Sequence, residues 1–151
     1  MPSWRPAYPD EDTAIVAMSL SLYGLESPRV SEAQVRQTLA TFRAEPVRGR
    51  ALVLEAEGEA VGYAFLVSFW SNELGGEICT IDELYLEPAW RSHGYASALL
   101  TALQAGEPFW PRQPVALELE VSPLNPRAHA LYERVGFAVK DNTTLRLMVR
   151  R

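Results

Sequence analysis

The sequence predicts an α/β (α+β) fold, one sheet with helices on both faces, in the element order βααβββαβαββ. Three observations carry that expectation. Residues 50–86 read as three consecutive strands separated by two turn signals, the pattern of an antiparallel meander. Four other segments repeat apolar residues at helical spacing. From Pro88 onward, helical and alternating stretches follow one another, which neither a closed barrel nor a bundle requires. At 151 residues and 16.8 kDa the chain suits a single domain, 1–151. With 48% apolar residues it has the material for a core and is not expected to be disordered.

The elements follow in order. Residues 5–8 form a short first strand. Residues 10–23 form a helix with acidic residues in its first turn, where the helix dipole favours them; Ile15, Met18 and Leu22 make its stripe and Gly24 closes it. Ser31 opens a second helix, with Gln34 completing a capping box, and Val35, Leu39 and Phe42 line its inner side. Strands follow at 50–56, 60–70 and 77–86, joined by Glu57-Gly58 and by the turn 71–76. The segment 90–96 is a loop that runs into a helix ending near Gly106, with Leu99, Leu100 and Leu103 on its apolar side. The proline-rich stretch 107–114 is a loop. Residues 115–122 alternate, with Leu117, Leu119 and Val121 opposite Glu118 and Glu120. Asn125-Pro126 starts a last helix, as N-cap and first helical residue, and Gly136 ends it. Two short strands, 137–140 and 144–149, complete the order.

Composition removes several function classes. The formal net charge is −5, without the basic face that nucleic-acid binding needs. The single Cys79 excludes an internal disulfide framework and a cysteine-rich zinc site, and with only His93 and His129 no histidine-based metal site is expected. No apolar stretch approaches the ~20 residues of a spanning helix, so no membrane is expected as partner. The first residues show neither a charged n-region nor an apolar h-region, so the expected location is the cytoplasm.

The chemistry concentrates between Ile81 and Ala96. A strand leads through a loop into a helix that opens on Gly94, Tyr95 and Ala96. Small residues there let a ligand approach the backbone closely. The N–H groups of a first helical turn have no intrahelical partner, and with the dipole they make an anion site suited to a pyrophosphate, beside which Arg91 adds one positive charge.

Arg91-x-x-Gly94-x-Ala96, preceded by Leu84-Tyr85-Leu86-x-Pro88, resembles the acetyl-CoA loop of the GNAT N-acetyltransferase superfamily. A second block agrees: Asn125, Ala128, Leu131-Tyr132 and Gly136-Phe137 are similar to that family's other motif. The two motifs stand in the family's order and cover the chain most strongly from Ile81 to Phe137. The resemblance implies a mostly antiparallel mixed sheet of about six to seven strands. It implies acetyl-CoA as the acetyl donor, with no metal, and direct attack by a primary amine.

It also implies roles. The backbone of Leu84, Tyr85 and Leu86 would hold the pantetheine arm as an added strand and supply an N–H to the oxyanion. The loop Arg91, Ser92, His93, Gly94, Tyr95, Ala96 would hold the pyrophosphate. Asn125 matches the asparagine that contacts the cofactor, and also reads as a plain N-cap. Tyr132 matches the tyrosine that protonates the departing thiolate, and also reads as a core aromatic.

The carboxylate on the acceptor side departs from any one pattern. Histone-type members carry a glutamate six residues before the position of Leu86; here that is Thr80. Asp82 shares the face of Thr80 in an unbroken strand, and Glu83 takes the opposite face. Members acting on ribosomal proteins carry a glutamate five residues before the motif asparagine, which Glu120 matches. The candidates for acid/base or amine-binding work are therefore Glu83, Glu120 and Asp82, in that order. Tyr23, Trp70, Asn72 and Glu73 are candidate liners of the acceptor site, since aromatic and acidic groups suit a cation. The acidic balance favours a small cationic amine over a protein amine. The alternative is a non-catalytic acyl-CoA-binding sensor. An acceptor carried on tRNA is disfavoured by the missing basic stripe. Dimers are common in the family, so a homodimer is among the assemblies the resemblance implies.

Overall fold

The computed structural model describes residues 1–24, 29–106, 110 and 112–149. Part of the predicted loop 107–114, namely 107–109 and 111, lies outside them. Contacts divide the chain into two units, Met1–Glu120 and Val121–Arg151, each described by itself.

The first unit is built on one five-stranded sheet in the order β1 to β5: β1 Ser3–Pro6, β2 Gly49–Ala56, β3 Glu59–Ser71, β4 Gly76–Leu86 and β5 Ala116–Leu119. The first four are antiparallel neighbours and β5 runs parallel to β4, so the sheet is mixed and mostly antiparallel as expected. The helices of this unit are α1 Asp12–Tyr23, α2 Glu32–Ala44 and α3 Tyr95–Ala105.

Alternation sorts the strand residues onto two faces. Val53, Tyr63 and Phe65 point to one face, where they pack with Ile15, Val16, Met18, Val35 and Leu39 of α1 and α2. Leu52, Leu54 and Ala64 point to the other and are wholly buried, as are Leu99 and Leu100 of α3. Trp4, paired with Leu54, donates its Nε1–H to the Tyr95 carbonyl at 2.8 Å, which fixes the start of α3 on that second face. The predicted capping box forms: Gln34 N–H donates to Ser31 Oγ at 3.2 Å, and Ser31 N–H donates to Gln34 Oε1 at 2.7 Å. Asp12, in the first turn of α1, pairs with Arg43 near the end of α2. The predicted stripe of α1 needs one amendment. Ile15 and Met18 are buried, but Leu22 is 39% exposed and Ser19 is wholly buried in its stead.

β4 contains the feature that matters most for function. Phe65 pairs with Glu83 but the next residue, Leu66, pairs with Ile81, so Asp82 is an extra residue, a β-bulge. The bulge reverses the side-chain parity along β4. Glu83 consequently shares the α1/α2 face with Thr80, which corrects the expectation from unbroken alternation. Beyond Ile81, paired with Leu119, β4 has no further partner in β5.

The second unit contains α4, Pro126–Val135. Asn125 Oδ1 accepts from the Ala128 N–H at 3.1 Å and Gly136 ends the helix, as the sequence predicts. The last two expected strands do not form: 137–140 and 144–149 have no strand assignment, and the sheet has five strands rather than six to seven. The alternation of Leu145, Leu147 and Val149 reports strand propensity, but a strand exists only through a hydrogen-bonded partner.

Candidate active site

The C-terminal half of β4 and the start of α3 form the first half of the site. The Glu87 N–H donates to the Val61 carbonyl at 2.8 Å, so in the antiparallel ladder the odd-numbered residues Tyr85 and Glu83 turn their backbone groups toward β3. Leu84 and Leu86 then turn theirs to the side that β5 has left. This is a length of strand edge with peptide groups offered outward, which is what an extended amide-containing ligand needs. Gly62 makes the opposite side tight: a Cβ there would lie 2.8 Å from the Tyr85 carbonyl.

The chain then turns through Pro88–Trp90 and enters α3. Ser92 (φ 64°) and Gly94 (φ 85°) are both left-handed. Gly94 is the N-cap of α3 and, having no side chain, gives that end no cap of its own. Intrahelical bonding begins with Ala98 N–H to the Gly94 carbonyl at 2.9 Å. The preceding N–H groups therefore carry the helix dipole's positive end into the loop. A Cβ built on Gly94 meets nothing within 4 Å, so the space before it is open. His93 is exposed and stacks on Tyr95 at 6.1 Å. Ala96 lies in the first turn of α3. Arg91 folds back. Its Nε–H donates to the Leu86 carbonyl at 2.8 Å and its guanidinium lies 5.2 Å over the Tyr85 ring. One of the outward-facing strand groups is thus already engaged by Arg91.

The second half of the site is a carboxylate on the other face of the sheet. Glu83 Oε1 accepts from Tyr63 OH at 2.5 Å and from Ser19 Oγ at 3.2 Å, and its Oε2 accepts from Tyr23 OH at 2.9 Å. Burial first, then the charge of Glu83, pushes both phenols well above the ordinary tyrosine range, so they act as donors. Asp82 adds in the same direction at Tyr23, and Arg29 opposes it. The Tyr63 ring also neighbours Phe65 at 5.0 Å and Tyr85 at 6.2 Å.

The other nominated residues are placed as follows. Asp82 is exposed at the bulge, and Glu120 is exposed just past the end of β5. Of the four candidate acceptor-site liners, only Tyr23 reaches Glu83. Trp70 pairs with Glu77, five residues along β3 from the Phe65–Glu83 pair, a distance of about 17 Å at strand rise. Asn72 and Glu73 lie in the exposed hairpin turn beyond it. In the second unit, Tyr132 packs edge-on against Phe137 at 5.9 Å, and burial raises its phenol above the ordinary range. Asn125 is an N-cap, its Oδ1 accepting from the Ala128 N–H. Sequence reasoning missed Ser19 and Tyr63. The available signal was a serine four residues after Ile15, on the inner stripe of α1, where a hydroxyl needs a partner.

Among the described residues no cluster of histidine, cysteine and acidic groups is arranged to hold a metal, and no helix is long and apolar enough to cross a membrane.

With that geometry in view, the comparisons are specific. The model of the acetyltransferase (GNAT) family matches residues 17–137, and the chain belongs to that family. No curated protein sequence matches it. Among solved structures, a possible acetyltransferase from Clostridium difficile 630 superposes with a TM-score of 0.82 at 17% identity, over 100% of this chain and 99% of that one. The ribosomal-protein-alanine N-acetyltransferase of Brucella melitensis biovar Abortus 2308 gives 0.73 at 18%, over 99% and 100%. The aminoglycoside N-acetyltransferase AAC(6')-Iy in complex with CoA gives 0.69 at 17%, over 100% and 94%. These likenesses establish the shared fold. The protein is thus an acyltransferase by family.

Proposed function

We propose that this protein is an N-acetyltransferase that moves the acetyl group of acetyl-CoA to a primary amine by direct attack. The observation that carries the reading is the departure of β4 from β5 after Ile81, just before the strand runs into the uncapped start of α3. That places strand peptide groups and helix N–H groups in series, matching a pantetheine arm followed by a pyrophosphate. The open space before Gly94 fits the same ligand. The CoA complex of AAC(6')-Iy, a structure of the same fold, supports this choice of donor.

Acetyl-CoA supplies the activated acetyl group. The chain's own residues do the rest. The N–H groups of Leu84 and Leu86 bind the extended arm and stabilise the developing oxyanion. The loop Arg91–Ala96 binds the phosphates. Glu83 faces the acceptor. Tyr132, from its motif, gives a proton to the departing thiolate. Asn125 contacts the donor through its NH2. Holding both reactants together supplies much of the rate.

The test is turnover. Purified protein is incubated with acetyl-CoA and a panel of primary amines, following free CoA thiol and the acetylated product by mass. Release of CoA that depends on the amine, with a matching acetylated product, is the expected result. Binding of acetyl-CoA without transfer to any amine would instead favour the sensor reading.

A further inference from the structure

The Glu83 carboxylate is held more completely than a general base requires. Three hydroxyls from two elements converge on it: Ser19 in the middle of α1, Tyr23 at its end and Tyr63 on β3. Ser19 and Tyr63 are both wholly buried, and both bond Oε1. Oε2 accepts from the half-buried Tyr23, so the carboxylate meets the acceptor side through Oε2. All three hydroxyls lie within hydrogen-bond distance of the carboxylate, Ser19 also bonds the Tyr63 oxygen, and both phenols are held protonated by burial and by the carboxylate's charge.

We propose that Ser19, Tyr23 and Tyr63 are positioning residues that hold the Glu83 carboxylate in one orientation, so that Glu83 anchors a positively charged group of the acceptor, while the attacking amine reacts in its neutral form and gives its proton to water rather than to Glu83. This rests on the acetyltransferase reading and narrows it to acceptors that carry a cation.

Two experiments test it. The first needs no acceptor. Absorbance of tyrosinate is followed with rising pH in the wild type and in Glu83→Gln, with folding monitored by circular dichroism at each pH. The groups that face the two phenols are Glu83 and Asp82 on β4, Ser19 on α1 and Arg29, and Tyr23 in turn faces Tyr63. Removing the Glu83 charge is expected to let at least one further tyrosine ionise at lower pH while the protein is folded. Superimposable titrations would overturn the cradle. The second uses the best amine from the turnover panel, or butylamine against 1-butanol in binding by calorimetry with saturating CoA. Tyr63→Phe and Ser19→Ala each remove one donor. Tyr63→Phe is expected to raise KM for the amine about tenfold, with kcat within about threefold and the acetyl-CoA affinity unchanged. Glu83→Gln is expected to do the same more strongly, and to abolish the preference for butylamine over butanol. A collapse of kcat at unchanged KM would show Glu83 to be the base and overturn the proposal, as would equal binding of the neutral alcohol by the wild type. A protein that fails to bind acetyl-CoA would refute the acetyltransferase reading, while the tyrosine titration and the butylamine comparison would still judge the Glu83 cradle.

Discussion

Tyr132 and Gly94 are the single residues on which the proposed chemistry depends most. Tyr132→Phe keeps the ring on Phe137 and removes only the phenol proton. It is expected to lower kcat by about 10²-fold, the usual weight of a positioned acid, without altering the dissociation constant of acetyl-CoA. Unchanged turnover by stopped assay would remove Tyr132 from the mechanism. Gly94→Val puts a β-branched side chain at φ 85° and into the space where a phosphate would approach. Calorimetry is expected to show no acetyl-CoA binding, and normal affinity would mean the pyrophosphate lies elsewhere. Cys79 is a contrasting case. Burial first, then the charge of Glu77, pushes its thiol up to about 12, and it is wholly buried. It is expected to resist a disulfide reagent at pH 8 until the protein unfolds. At this scale the sequence was legible where a residue type has one use. Gly94 at the start of α3 and Asn125 as the N-cap of α4 are both readable from local pattern. Ser19 and Tyr63 were not, because their role arises from a contact between residues 64 and 20 positions apart from Glu83.

The elements show the same division between local and non-local causes. Capping chemistry and 3.6-residue periodicity are local, so all four helices were legible, with α3 and α4 ending at the glycines that the sequence marks. The meander β2–β3–β4 was legible because its turns and alternation lie within adjacent segments. The bulge at Asp82 was not: an extra residue is defined only by what the neighbouring strand pairs with. That one residue decides which face Glu83 occupies. The segments 137–140 and 144–149 failed as strands for the complementary reason, having alternation without a paired neighbour. The packing of α3 on the sheet has its own test. Leu103 is 1% exposed on the buried side of that helix. Leu103→Ala is expected to cost about 2–5 kcal/mol in urea denaturation, and a loss under about 1 kcal/mol would mean that α3 packs loosely.

For the molecule as a whole, buried acids set the alkaline limit of stability. Cys79, Tyr23 and Tyr63 all have folded-state values above their ordinary ones. Such groups favour the folded state fully below the unfolded value and lose that effect as pH rises toward the folded one. Above about pH 9, where an unfolded thiol ionises, the unfolded chain binds fewer protons than the folded one, so stability falls with pH through about 12. A midpoint of urea unfolding that holds level from pH 7 to 9 and declines above it is expected; a rise above pH 9 would contradict the burial of these groups. The central claim is that the outward edge of β4 and the start of α3 together take acetyl-CoA. The most direct test is thermal unfolding of the purified protein with acetyl-CoA, free CoA and longer acyl-CoAs. At 100 times its dissociation constant a ligand of the folded state adds about 2.7 kcal/mol, and the account predicts a clear upward shift in Tm with acetyl-CoA. No shift with any acyl-CoA would contradict it.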